Sequence, residues 1–147
     1  MLEIRNLTKK YKGGKVAVDN LSLTVEAGDI FAFIGHNGAG KSTTIKSVVG
    51  ILEFDSGDIF IDGHSVKDEP MACKKDLAYI PDNPDIYDHL TGIQYLNFIG
   101  DVFGVDSATR TAKIDDYATR FDIKKNLGDM VGSYSHGMKQ KLVLTFA

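Results

Sequence analysis

The chain has 147 residues, 43% of them hydrophobic and 25% charged, the proportions of a soluble globular protein with a sizeable core and not of a disordered chain. Its 17 basic and 20 acidic residues leave a net charge of −3, which argues against a nucleic-acid-binding surface and makes any anion site local. The single cysteine, Cys73, excludes an internal disulfide and a cysteine-rich zinc site and fits a reducing, cytoplasmic setting; no stretch approaches the roughly 18 apolar residues of a membrane span, and the N-terminus lacks the apolar segment of a signal peptide.

Leu2 to Leu7 alternates weakly and Leu21 to Glu26 alternates cleanly, with Leu21, Leu23 and Val25 on one face, the pattern of half-buried antiparallel strands joined through a turn at Gly13-Gly14. Tyr11 closes the first of them. Ile30-Phe31-Ala32-Phe33-Ile34 is a short apolar run rich in β formers and suits a strand buried on both faces.

Gly35-His36-Asn37-Gly38-Ala39-Gly40-Lys41-Ser42-Thr43 follows at once and has the spacing of a phosphate-binding P-loop: a glycine, four open positions, then Gly-Lys-Ser. Glycines let the backbone curl until successive N–H groups point at one anion. Lys41 adds a point charge for the β- and γ-phosphates, the Ser42 hydroxyl suits Mg²⁺, and the helix starting near Gly40 aims its positive end at the same place. The four fixed positions arise by chance on the order of once in 200 sequences of ordinary composition. The strand pattern before the loop, and Ile45, Val48, Val49 and Leu52 at helical spacing after it, strengthen the assignment.

Asp55-Ser56-Gly57 predicts a turn, and Gly57 to Gly63 a short strand closed by another turn, followed by a polar patch. Leu77-Ala78-Tyr79-Ile80 is a further strand candidate, ended by the loop Pro81-Asp82-Asn83-Pro84. Helical spacing then takes over: Ile93, Leu96, Gly100 and Phe103 after Thr91, and Ile114, Tyr117, Ala118 and Phe121 on a second helix, both stripes assigned to the core. Residues 132–147 read as a polar loop entering a last helix, with Ser135 as its N-cap, and the sequence stops within the apolar part of that helix.

In this order of elements the whole chain resembles the ATP-binding domain of ABC transporters, exporter-like and truncated after the signature motif. The resemblance implies an α/β P-loop NTPase fragment, with an antiparallel β subdomain, an incomplete parallel core sheet and a helical subdomain, divided as 1–82 and 83–147. It places Tyr11 where the family stacks an aromatic ring on adenine, a contact open to any flat base. Ser135-His136-Gly137-Met138 is similar to the family signature, which touches the ATP held by an opposite subunit. It implies ATP and Mg²⁺ as cofactors and ATP hydrolysis by the parent protein. The partners it implies are a transmembrane transporter subunit and a second ATP-binding subunit in a dimer, at the cytoplasmic, inner face of the membrane.

Three departures qualify the match. Tyr134, His136 and Met138 stand where the family commonly has Leu, Gly and Gln, and Asp82 stands where most members have the Gln linked to Mg²⁺ and the attacking water. Asp82 is therefore a shorter, anionic candidate for a metal and catalytic role beside Lys41, and a turn residue otherwise. No strand ending in Asp-Glu follows the signature, and His36, His64, His89 and His136 are read as solvated side chains or local contacts, so binding without hydrolysis is expected of the 147 residues alone. A non-catalytic nucleotide-binding or interaction module is the rival reading. A small-molecule kinase would need an Arg-bearing lid, for which the helical segment offers only Arg110 and Arg120.

Overall fold

The computed structural model describes residues 1–84 and 86–146. Ala147, the last residue expected in the final helix, lies outside them. The chain forms two compact units, Met1–Ala78 and Tyr79–Ala147, so the division falls four residues before the boundary expected after Asp82.

In the first unit, β1 (Leu2–Lys10), β2 (Val16–Val25), β3 (Ser56–Ile61) and β4 (His64–Ser65) form one antiparallel sheet in the order β2-β1-β3-β4. Leu2 lies opposite Val25 on one side and Ile61 on the other, and Ile4 opposite Leu23 and Ile59. The weak alternation of β1 has a physical cause. Both pairings slip after Ile4 and Arg5, and Asn6 takes a left-handed φ of 52°, its backbone N–H donating to Ser22 Oγ at 2.9 Å. This irregularity puts Leu7, three residues beyond Ile4, on the same buried face. Ile4, Leu7, Val18, Ile59 and Ile61 then pack with Val48 of α1 (Lys41–Val48), and each large side chain so buried contributes about 1.5–3 kcal/mol.

Among the described residues every strand pair is antiparallel, and the runs at 30–34 and 77–80, expected in an incomplete parallel core sheet, join no ladder. Ile30 and Ile34 are 102% and 94% exposed. An apolar run becomes a central strand only where neighbours pair with its backbone, and no strand among the described residues does so. The α1 stripe is also partly solvent-facing, since Ile45 is exposed while Thr44, Ser47 and Val48 are buried. The polar patch holds β4 and a short helix, α2 (Pro70–Lys75), with Pro70 in its first turn and Cys73 buried beneath it.

The second unit is helical: α3 (Gly92–Val102), α4 (Ser107–Arg120) and α5 (His136–Leu144), with single 3₁₀ turns at Lys124–Asn126 and Val131–Ser133. Leu96, Ala118, Ile123, Val131 and Leu142 have no exposed surface. Ile114 and Ala118 carry the α4 stripe inward as expected, but Tyr117 is exposed and stacks on Phe121, and Phe103 caps α3 at 69% exposure. Each of these helices has a side-chain cap. Thr91 and Gln94 form a reciprocal capping box on α3, Asp106 accepts from the Thr109 N–H on α4, and Ser135 accepts from the Met138 N–H on α5.

Candidate nucleotide-binding site

The loop of residues 35–40 runs into α1, and its curvature comes from glycines: Gly38 and Gly40 have φ of 88° and 91°. Gly40 has a second reason to be glycine, because a Cβ there would overlap the Ala17 carbonyl oxygen of β2. The loop is thus seated against the sheet. Gly40 is also the N-cap of α1 and supplies no side-chain acceptor, so the N–H groups of the first turn, which no helix can satisfy internally, stay available to an anion.

Lys41 folds back over this loop. Its Nζ donates to the carbonyl oxygens of Gly35 at 2.5 Å and His36 at 2.8 Å, which fixes the ammonium above the curl with one N–H left for a further acceptor. His36 Nδ1 lies 2.9 Å from the Asn37 carbonyl, and the Ala39 N–H closes the turn onto the His36 carbonyl at 3.2 Å. Ser42 is exposed in the first turn of α1. Its hydroxyl is a hard oxygen donor, which suits Mg²⁺ held jointly with phosphate oxygens and water.

Tyr11 lies just beyond β1, 32 residues before Thr43, yet its Oη is 3.2 Å from Thr43 Oγ1. That contact brings the aromatic ring to the start of α1, with the Lys9 ammonium 5.8 Å from the ring centroid. The phosphate-loop residues and Tyr11 therefore form one constellation within the first unit.

Asp82 and the residues 135–138 belong to the second unit, and they are linked to each other. Gln140 Nε2 on α5 donates to the Asp82 backbone carbonyl at 3.1 Å, while the Asp82 side chain is exposed. Because the carbonyl is the acceptor, this link does not depend on which side chain stands at position 82. Lys139 adds an ion pair with Asp88 at 2.6 Å. Ser135 accepts from Met138 N–H at 3.3 Å, which leaves its own O–H available to donate; His136 and Gly137 open the helix and are exposed, and Met138 is half-buried against the core of this unit.

Sequence reading missed what Tyr134 does. It is buried, its Oη donates to the Asn126 carbonyl at 2.5 Å, and a Cβ at Gly92 would overlap that same oxygen. Burial, and then the charge of Asp129, push its phenol up from the ordinary value, so it stays a donor. Tyr134 is therefore a core residue supporting the loop before α5. The remaining histidines make local contacts, His64 with Glu69 at 3.0 Å and His89 edge-on with Tyr87. Arg110 is bound to Asn97 and Asp101, and Arg120 to Asp116.

One protein-family profile, described as ABC transporter, matches residues 18–147. The chain is 37% identical over 145 residues to the ABC transporter ATP-binding protein YhcH of Bacillus subtilis, a match covering 98% of this chain and 46% of that protein. It is 31% identical over 147 residues to the ABC-type transporter ATP-binding protein EcsA of the same organism, covering all of this chain and 59% of that one. A solved ATP-binding subunit of an ABC transporter superposes with a TM-score of 0.89 at 32% identity, over the whole of this chain and 61% of its own. A dimeric cassette, MJ0796, solved with ADP and phosphate, superposes with a TM-score of 0.85 at 19% identity and shares the α/β fold. The chain spans about half to two-thirds of the length of these relatives.

Proposed function

Because the chain belongs to the ABC transporter family, matched over residues 18–147, we propose that it supplies the ATP-binding part of a transport ATPase, in which nucleotide binding and hydrolysis drive a transmembrane partner. The observation that carries this reading is the Tyr11–Thr43 contact at 3.2 Å, which ties an aromatic ring to the helix start where Lys41 and the uncapped N–H groups converge. In the proposed complex the Tyr11 ring stacks on the adenine, the amides of residues 35–43 cradle the phosphates, and the Lys41 ammonium turns its remaining N–H to the γ-phosphate. The Ser42 hydroxyl would hold Mg²⁺, whose charge, when bound, offsets that of the β- and γ-phosphates. The O–H of Ser135, with the helix start at His136, Gly137 and Met138, is assigned to the ATP of a second subunit, as in a two-nucleotide sandwich. That arrangement puts the protein at the cytoplasmic face of a membrane spanned by its partner; among the described residues no helix is long and apolar enough to cross one.

A binding-only role for these 147 residues is the second reading, favoured by the residues of the phosphate loop: 35–43 include no carboxylate that could act as a base toward water. Titration of MgATP, with phosphate release followed on the same sample, separates the two. Binding without turnover is the expected result. Lys41→Ala should weaken binding about 10–100-fold, the equivalent of losing charge-assisted bonds of roughly 1.5–3 kcal/mol. Equal affinity in the variant would remove the phosphate-loop assignment, and Lys41-dependent turnover would remove the binding-only reading.

A further inference from the structure

Of the asparagines in the chain only Asn37 precedes a glycine; the others precede Leu7, Leu21, Pro84, Phe98 and Leu127. Gly38 brings no side chain to shield its backbone nitrogen, and a Cβ built there would meet nothing within 4 Å. Both residues are exposed, in the middle of the turn that the Ala39 N–H closes onto the His36 carbonyl at 3.2 Å. Among the described residues the Asn37 carboxamide makes no hydrogen bond and the Gly38 N–H has no acceptor, whereas the amides of Asn6 and Asn126 donate to Asn20 and Asp129. His36 acts on the same peptide group. Its Nδ1 lies 2.9 Å from the Asn37 carbonyl oxygen, and because a carbonyl only accepts, the ring donates. A donor on that oxygen draws electron density from the Asn37–Gly38 peptide, so the nitrogen gives up its proton more readily and the carbonyl carbon is more open to water.

We propose that Asn37 is a deamidation site, that its isoaspartate product disables the phosphate loop, and that bound nucleotide protects it. The proposal rests on the phosphate-loop reading. The Gly38 nitrogen gives its proton to a solvent base and bonds to Asn37 Cγ; the Cγ–Nδ2 bond breaks, ammonia leaves with that proton, and a five-membered succinimide closes. Water then cleaves the ring on one of two sides. Breaking the bond from nitrogen to Cγ gives aspartate, and breaking the bond to the α-carbonyl, the side polarised by His36, gives isoaspartate, with the chain now running through the side-chain carbon. Either product leaves the loop one negative charge richer, against the anion it has to hold. Isoaspartate also adds a backbone carbon between His36 and Lys41, within the span that the Lys41 ammonium clasps through the carbonyls of Gly35 at 2.5 Å and His36 at 2.8 Å. The N–H groups on the two sides of the insertion then no longer converge on one anion. With phosphate in the loop, the Gly38 N–H is bonded to it, keeps its proton and is held away from Cγ, so occupancy and modification exclude each other.

The chain is aged at mildly alkaline pH with and without MgATP, mapped at intervals by peptide mass spectrometry and isoaspartyl methyltransferase labelling, and titrated with MgATP. The peptide holding residues 37 and 38 should lose its amide before any other asparagine does, and the modified fraction should bind MgATP about 10–100-fold more weakly, the range for a lost charge-assisted hydrogen bond. MgATP at about ten times its dissociation constant should slow the change about tenfold, the ratio of total to free loop. Asp62-Gly63 can close the same ring, but its carboxylate is paired with the Met1 ammonium and its isomerisation changes no mass, so the map keeps it apart. Asn37→Gln, which could cyclise only slowly through a six-membered ring, should keep through ageing whatever affinity it has at the start. An amide at 37 that outlasts the other asparagines, isoaspartate at 37 without weaker binding, equal rates with and without saturating MgATP, or the same decline in Asn37→Gln each overturn the proposal. Failure of the underlying reading looks different: a fresh chain that binds MgATP but keeps its amide at 37 sinks only the deamidation site, whereas a fresh chain that never binds sinks the phosphate loop with it.

Discussion

The helices of the two units begin differently. α1 in the first unit opens on Gly40, with no side-chain acceptor for its first N–H groups, whereas α3, α4 and α5 in the second open on Thr91, Asp106 and Ser135, each accepting from a backbone N–H. Both units bury apolar side chains and leave some open: Leu7 of the first and Leu96, Ile123 and Leu142 of the second have no exposed surface, while Ile30 and Ile34 of the first are almost wholly exposed and Phe103 of the second is 69% exposed. The second unit satisfies the first donors of its helices with its own side chains. The first leaves those of α1 open to an anion.

The largest effect expected from this contrast is on stability. Leu96→Ala should cost about 2–5 kcal/mol through lost burial and the cavity left behind. Ile34→Ser should stay within about 0.5 kcal/mol and reduce self-association, since the exposed run at 30–34 offers unpaired backbone and apolar side chains to another copy. Thermal melts and light scattering on both variants check this, and a large loss at Ile34 would mean that the run is buried in solution.

Next in size is the open site itself. Tyr11→Ala should cost roughly 1–3 kcal/mol of binding free energy, alike for ATP and GTP, because stacking tolerates either base. Tyr11→Phe keeps the ring and removes only the hydroxyl facing Thr43, so its loss should be smaller, about 0.5–1.5 kcal/mol. Equal damage from Phe and Ala would assign the residue to the hydroxyl contact instead of the base.

A smaller effect tests the closed helix ends. Thr91→Ala removes one half of the α3 capping box and should lower stability by about 1 kcal/mol without altering nucleotide affinity. Denaturant melts and a titration on one preparation distinguish the two effects.

The smallest is a pH effect of known sign. Hydrogen bonds from Thr109 hold the Asp106 carboxyl below its ordinary value in the folded chain, and Arg5 does the same to Glu3. On acidification the unfolded chain takes up these protons first. The stability is therefore complete above the usual carboxylate range and is lost as pH falls through it toward the lowered folded values. Asp106→Asn keeps a good cap and should flatten the acid limb of a melting-temperature profile. An unchanged profile would show that this cap carries no proton-linked stability.

Much of this was legible in the sequence where a residue type answers to local geometry. The glycine spacing before Lys41, the serine before α5 and the stripe of Ile114 and Ala118 each state a backbone requirement that needs no distant partner. Thr91 and Gln94 carried an unread signal of the same kind, the spacing of a capping box, and Pro70 after Glu69 marked a helix start within an otherwise polar patch. Less legible were features set across the chain. The run at 30–34 is apolar enough for a buried strand, but apolarity cannot say which neighbour pairs with it. Tyr134 reads as a departure within a binding motif because nothing in residues 134–138 reveals that its hydroxyl reaches Asn126.

That buried hydroxyl also imposes an order on change. Tyr134 Oη occupies the space that a Cβ at Gly92 would take, with the Leu127 Cα only 3.2 Å from the same point. Positions 92 and 134 are therefore epistatic. Alanine at 92 clashes with Tyr134 while that ring stands, and a smaller residue at 134 opens most of the room but takes one of two donors from the Asn126 carbonyl, leaving it the Asp129 N–H at 2.9 Å. A lineage carrying tyrosine at the second position is thereby held to glycine at the first, whatever nucleotide chemistry it acquires elsewhere.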